Sequence, residues 1–151
     1  MNSLSNSDHE LTFIISLSVD LNGGLQVKYI YTEKAPKPVG PYSQAVLVGN
    51  ILFISGQLPI NPSTGELVRS NFKEAAKQAL NNVIEIVRAS GGDVRNIVKV
   101  TVYLKDITRF SELNEVYSEL MGDHKPARAV VAVSSIPRDA DLMIEAIAYL
   151  E

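Results

Sequence analysis

Two long charged side chains stand inside otherwise apolar runs near the end of this 151-residue chain. Arg128 lies in Pro126-Ala127-Arg128-Ala129-Val130-Val131-Ala132-Val133, and Glu145 in Leu142-Met143-Ile144-Glu145-Ala146-Ile147-Ala148. An ionised group in such a run must be paired, face a cleft or meet a ligand, because desolvating it alone is costly. In one reading each side chain snorkels to a sheet edge, or the two pair with each other. In the other, Arg128 waits for an anion. Its planar fork suits a carboxylate held bidentately, and the flanking Ala and Val residues would keep that grip dry.

The elements that must position these residues can be read from pattern. Both runs are rich in β-branched and small apolar residues and are separated by the turn residues Ser134-Ser135-Ile136-Pro137-Arg138-Asp139. They read as adjacent strands buried on both faces. Upstream, residues 45–48 and 51–55 form a hairpin closed by Gly49-Asn50. Gly56 follows, either as a plain turn glycine or as a place where backbone approaches a ligand. Residues 71–90 form the clearest helix: Asn71 with Glu74 is a capping pair, Phe72, Ala76, Ala79, Leu80, Val83 and Val87 make one apolar stripe, and Gly91-Gly92 end it. Residues 97–104 alternate as a half-buried strand, with Ile97, Lys99, Thr101 and Tyr103 on one side and Val98, Val100, Val102 and Leu104 on the other. Thr108 can cap a second helix that Gly122 stops, with Asn114 on or beside its apolar stripe. The order ββ-α-β-α-ββ predicts an α+β domain with two helices on one face of a mixed sheet. The other face is then poorly covered, which predicts an oligomer closing sheet on sheet.

The N-terminal run Leu11-Thr12-Phe13-Ile14-Ile15-Ser16-Leu17-Ser18-Val19 is too short to span a bilayer and lacks the basic region of a signal peptide. It is either an extra edge strand, turned at Asn22-Gly23-Gly24 into residues 25–32, or sequence upstream of a natural start near Val27. Residues 1–27 are therefore set apart as an N-terminal extension from a single domain over 28–151. A cytoplasmic address is the default. Lys+Arg of 14 against Asp+Glu of 17 gives a net charge of −3, which makes nucleic acid an unlikely partner. With no cysteine and only His9 and His124, neither a disulfide framework nor a metal site is expected. His124 reads as a surface or capping residue.

With these pieces placed, the chain resembles the Rid family of reactive intermediate deaminases, also called the YjgF/L-PSP family. The resemblance runs from about Tyr29 to the C-terminus. It rests on Ala35-Pro36 with Gly40-Pro41-Tyr42-Ser43-Gln44-Ala45, on Ser55-Gly56-Gln57 with Pro59, and on Asn61-Pro62 with Thr64-Gly65-Glu66. Further along it rests on Val100-Thr101-Val102-Tyr103-Leu104-Lys105-Asp106, Asn114 with Tyr117, and Pro126-Ala127-Arg128. The resemblance implies a chorismate-mutase-like fold and a homotrimer with a central barrel and clefts between subunits. It also implies cofactor-free, metal-free hydrolysis of 2-imino acids, such as 2-iminopropanoate and 2-iminobutanoate, to 2-keto acids and ammonia. Such imines are released by pyridoxal-phosphate enzymes acting on serine or threonine. Carried over residue by residue, Arg128 grips the substrate carboxylate, Tyr42 and Asn114 join it in the catalytic set, and Ser55 and Gly56 supply polar and backbone contacts.

The chain departs from that pattern in its last strand. Family hydrolases read Ile-Glu-Ile-Glu-Ala-Ile-Ala there, with the first glutamate assigned to the attacking water. Here that residue is Met143, a substrate-contacting position whose thioether cannot take a proton. Glu145 matches the second glutamate, on the same strand face but roughly 6.6–6.8 Å further along, so a bridging water would be needed. Lowered or altered activity is expected. A protein that keeps the anion pocket with little catalysis, acting as a binding or protective protein, is the first alternative. An endoribonuclease or translation inhibitor is the second, disfavoured by the acidic balance and the lack of a histidine pair for RNA cleavage.

Overall fold

The computed structural model describes residues 12–15, 24 and 26–151. Strands β1 (Thr12–Ile15), β2 (Val27–Thr32), β3 (Ala45–Val48) and β4 (Ile51–Gln57) precede helix α1 (Phe72–Ala89). Strand β5 (Ile97–Leu104), helix α2 (Phe110–Met121), and strands β6 (Ala127–Ala132) and β7 (Leu142–Tyr149) complete the chain. The strands form one sheet in the order β1-β2-β3-β4-β7-β5-β6, antiparallel throughout except for the parallel pair β5–β6. The expected mixed α+β architecture is present. The run in front of the domain does add a strand: β1 pairs with β2, and Gly24 between them has φ 96°. Asn22 and Gly23 of the expected turn lie outside the described residues.

Local chemistry accounts for most of the elements. Gly49 at φ 57° turns β3 into β4. Asn71 caps α1 by accepting the Glu74 amide at 2.9 Å, a contact worth about 1 kcal/mol. Gly91, at φ 95°, ends α1, and the whole expected apolar stripe of that helix is buried. Asn82 is buried among these residues because its amide donates to the Leu58 and Ile60 carbonyls at 3.1 and 2.9 Å, tying α1 to the loop after β4. Both helices lie on one face of the sheet. Leu113, Val116 and Met121 of α2 join Leu80, Val83, Val100, Ile144 and Ala146 in a single core.

Four local expectations are corrected. The two C-terminal runs are not neighbours, because β7 inserts between β4 and β5 while β6 is the sheet edge, reached from β5 through the α2 crossover that makes β5–β6 parallel. Nor are they buried on both faces: β7 alternates buried and half-buried residues, and β6 is half-buried to exposed. Their continuous apolarity reflects one helix-covered face and one bare apolar face. The alternation of β5 breaks at Val98, where a register shift between Ile97 and Lys99 turns both Ile97 and Val100 into the core and leaves Val98 exposed. Thr108 does not cap α2. Asp106 accepts its amide and hydroxyl at 2.9 and 2.7 Å in a separate short turn, Ile107–Arg109, and α2 begins at Phe110.

The face away from the helices is bare and apolar in part. Phe53 and Tyr149 remain 47% and 49% exposed on it, Ile51 is exposed opposite Tyr149, and Val131 is exposed on the edge strand β6. His124 is half-buried, its Nε2 2.6 Å from the Ile97 carbonyl, a structural tie between the end of α2 and the start of β5.

Candidate functional site

The site grows from an irregularity between β4 and β7. Ile54 pairs with Ala146 and Gln57 with Ile144, so two residues of β4, Ser55 and Gly56, stand opposite one residue of β7, Glu145. This is a β-bulge, a device that breaks ladder pairing and re-aims neighbouring groups. It also explains why β4 runs two residues past its expected end at Ser55. The bulge is pinned from the preceding strand: the Ser55 amide donates to the Gln44 carbonyl at 2.9 Å, and the Ser55 hydroxyl donates to the Ser43 carbonyl at 2.6 Å. Gln44 is itself buried. Its Oε1 accepts the Thr32 amide at 2.7 Å, and its Nε2 donates to the Thr32 and Pro36 carbonyls at 2.9 and 3.0 Å, fixing the proline-rich loop.

That loop and the bulge enclose a cavity of about 530 Å³. Tyr42, Ser55, Gly56, Met143 and Glu145 all line it, so the structure brings together five of the seven residues singled out from sequence. Tyr42 is half exposed at the mouth. Met143 lies against Gly56, where a Cβ would come within 2.7 Å of its Sδ, so any larger residue there would have to displace this thioether. Glu145 accepts a hydrogen bond from the Tyr103 hydroxyl at 2.8 Å. That bond, then partial burial, holds the Tyr103 phenol above its usual range, so it stays a donor at neutral pH.

The cavity also has cations that the sequence did not flag, Lys37 and Arg138. Arg138 and Asp139 sit at φ 59° and 55°, a left-handed pair costing about 1–2 kcal/mol each for side chains other than glycine. Arg69 holds this turn by donating to the Arg138 and Asp139 carbonyls at 2.8 and 3.4 Å, and Lys105 bonds the Asp139 carboxylate at 2.6 Å. Lys105 accordingly draws the Asp139 carboxyl below the usual carboxylate range.

Arg128 and Asn114 are elsewhere. Arg128 pairs across the sheet with Val100, and Val100 with Ala146; both partners are buried under the helices, so Arg128 points to the helix face. Glu145 pairs with Thr101 and points to the other face. The two charges therefore do not pair with each other. Arg128 instead donates to Asn114 Oδ1 at 2.8 Å, with its guanidinium 4.8 Å from the Tyr117 ring centre and 5.5 Å from that of Phe110. Among the described residues no carboxylate pairs with it. The Tyr117 hydroxyl is buried with no hydrogen-bond partner, and burial pushes its pKa up against the opposing pull of Arg128. No group of three or more His, Cys, Asp or Glu side chains among the described residues is placed to hold a metal ion.

Sequence reasoning missed Tyr103, Gln44 and the Lys37–Arg138 rim. Tyr103 carried one usable signal, since its alternation with Lys99 and Thr101 placed three polar groups on one strand face. The register that sets it beside Glu145 is a long-range property.

The sequence and fold have close counterparts. The profile of the family described as Endoribonuclease L-PSP matches residues 32–150. A RutC family protein from Pyrococcus abyssi is 53% identical over 122 residues, covering 81% of this chain and 96% of that protein. The 2-iminobutanoate/2-iminopropanoate deaminase of Bos taurus is 50% identical over 121 residues, covering 80% of this chain and 88% of that enzyme. The solved structure of a candidate endoribonuclease from Thermotoga maritima superposes with a TM-score of 0.80 at 50% identity, over 82% of this chain and 97% of that one. The chain belongs to the L-PSP family, which also goes by the names YjgF, RutC and Rid. Among the described residues no helix is long and apolar enough to cross a membrane.

Proposed function

We propose that this protein hydrolyses small 2-imino acids to 2-keto acids and ammonia without a cofactor. The observation that carries the reading is the bulge cleft, where Glu145, Ser55, Gly56 and Tyr42 line one cavity with ample room for a small 2-imino acid. The bovine relative named as an imine deaminase at 50% identity supports it. The substrate carboxylate is gripped by Arg128, steadied by Asn114. Because Arg128 and Glu145 occupy opposite faces of one sheet, the arginine that serves a cleft comes from a second copy of the chain. A homotrimer closed through the bare sheet faces into a barrel, with clefts between subunits, supplies that arrangement. The partly exposed Phe53, Ile51 and Tyr149 support this assembly. The expected setting is the cytoplasm, beside the pyridoxal-phosphate enzymes that release such imines.

In the reaction, water adds to the protonated C=N carbon while Glu145 takes its proton, giving a carbinolamine. Glu145 returns that proton to the nitrogen. The C–N bond then breaks, ammonia leaves and the hydroxyl proton is lost as C=O forms. Orientation by Arg128 and Tyr42 supplies most of the help, since the iminium is already electrophilic.

Met143 packed against Gly56 favours a second reading, a protein that binds small keto and imino acids with little turnover. RNA cleavage draws no support from this site, whose lining contains no histidine, while His124 lies elsewhere against the Ile97 carbonyl. The deciding assay generates imine with an amino-acid oxidase or threonine dehydratase and follows it by semicarbazide trapping. Faster imine loss with the parent than with Arg128→Ala is the expected result. Keto-acid binding with no turnover in either protein establishes the second reading instead.

A further inference from the structure

Tyr103 stands directly across the β5–β7 ladder from Met143, while its hydroxyl reaches diagonally to Glu145, whose own cross-strand partner is Thr101. Diagonal neighbours on one sheet face are roughly 7–8 Å apart at the backbone, a span that a tyrosine side chain bridges. The hydroxyl engages Oε1 at 2.8 Å, and that is the hydrogen bond Glu145 makes to another side chain among the described residues. Tyr103 does not line the cleft, whereas Glu145 does. One carboxylate oxygen is thus tethered, and among the described residues the other accepts no hydrogen bond from a side chain. Met143, the side chain packed against Gly56, offers no proton acceptor, so a proton taken from water within the cleft goes to Glu145.

We propose that Tyr103 is the positioning residue for Glu145: its hydrogen bond fixes the carboxylate toward the cleft, so that Glu145 serves the water that a glutamate at position 143 would otherwise serve. The inference rests on the imine-hydrolase reading above. Without the tether, a glutamate at this half-buried position has several rotamers, few of which aim an oxygen at a water beside the bulge. Tyr103 acts through Glu145 alone and makes no contact with substrate.

The experiment is steady-state imine hydrolysis by the parent, Tyr103→Phe, Glu145→Gln, the double variant, and Tyr103→Phe combined with Met143→Glu. Thermal melts check that each variant folds. The expected result is a fall of about tenfold in kcat for Tyr103→Phe, with KM within about twofold of the parent, as suits loss of one hydrogen bond to a charged group. The same change should have no further effect in the Glu145→Gln background, because coupled residues are non-additive. Met143→Glu should restore the rate of Tyr103→Phe by placing a carboxylate beside the bulge that needs no tether. An equal fall in kcat with and without Glu145, or no fall at all, overturns the proposal while leaving the hydrolase reading in place. If Glu145→Gln has no measurable rate, the Met143→Glu rescue decides, and its failure counts against the proposal. A parent that clears no imine removes the hydrolase reading itself, and the role of Tyr103 with it.

Discussion

The two halves of the candidate site are built on different principles. The cleft beside β4 and β7 is shaped by backbone: a bulge, a glycine that leaves room for Met143, and a loop pinned by the buried amide of Gln44. The Arg128 half is shaped by side chains, with a guanidinium stacked near two aromatic rings and bonded to one amide on α2. Backbone devices fix a position at little entropic cost but tolerate few substitutions. Side-chain clamps hold a long flexible residue only as well as their weakest partner. The proposed hydrolysis uses both, and because the sheet keeps them on opposite faces, that proposal makes assembly part of the chemistry.

Substitutions on the two sides should therefore fail differently, and the largest failure is expected on the arginine side. Arg128→Ala removes charge-assisted hydrogen bonding to the ligand carboxylate worth about 1.5–3 kcal/mol in all, and pyruvate binding by calorimetry should weaken by roughly tenfold to 150-fold. The melting temperature should stay near that of the parent, because Arg128 sits at the sheet edge. Unchanged binding would contradict the role given to this residue. Asn114→Ala tests the clamp and should raise KM more than it lowers kcat, by about tenfold or less. An effect confined to kcat would place Asn114 in the chemistry instead.

On the cleft side, Gly56→Ala pushes a methyl into Met143 and should destabilise the protein by about 1–2 kcal/mol in urea unfolding. Because the clash is with the end of a flexible side chain, Met143→Ala should relieve most of it. Additive losses in the double variant would show that the backbone, not the thioether, is the obstacle. Met143→Glu alone should raise imine turnover if a carboxylate at this position limits the rate, and a flat or lower rate would leave water activation with Glu145.

The smallest effect belongs to the strained turn at the cavity rim. The Asp139 carboxyl has its folded pKa below the ordinary value, so its bond to Lys105 stabilises the fold above the unfolded carboxylate pKa, about 3.9, and is lost as pH falls through the lowered folded value. Asp139→Asn should melt slightly below the parent at pH 6 and together with it at pH 2. This ion pair is exposed and screened, so a large difference at neutral pH would point to the left-handed backbone rather than to the charge.

Much of the fold could be read directly from the chain. The capping pair at Asn71, the apolar stripe of α1, the glycine stops at 91 and 122 and the Gly49 hairpin are local events, decided within a few residues by hydrogen bonding and backbone freedom. The identities of Arg128 and Glu145 as charges out of place were equally visible, because burial penalises them whatever their neighbours. Which neighbours they have was not visible. A continuous apolar run looks the same whether a strand is doubly covered in the centre of a sheet or lies at its edge with one bare face, so β6 and β7 could not be told apart until β7 was seen between β4 and β5. The bulge that sets Ser55 and Gly56 against Glu145, and the slip at Val98, are single-residue shifts in long-range register that leave no mark on composition. Tertiary pairing alone decided which face each charge occupies, because side chains alternate along a strand and one residue of register moves a group from the core to the open face.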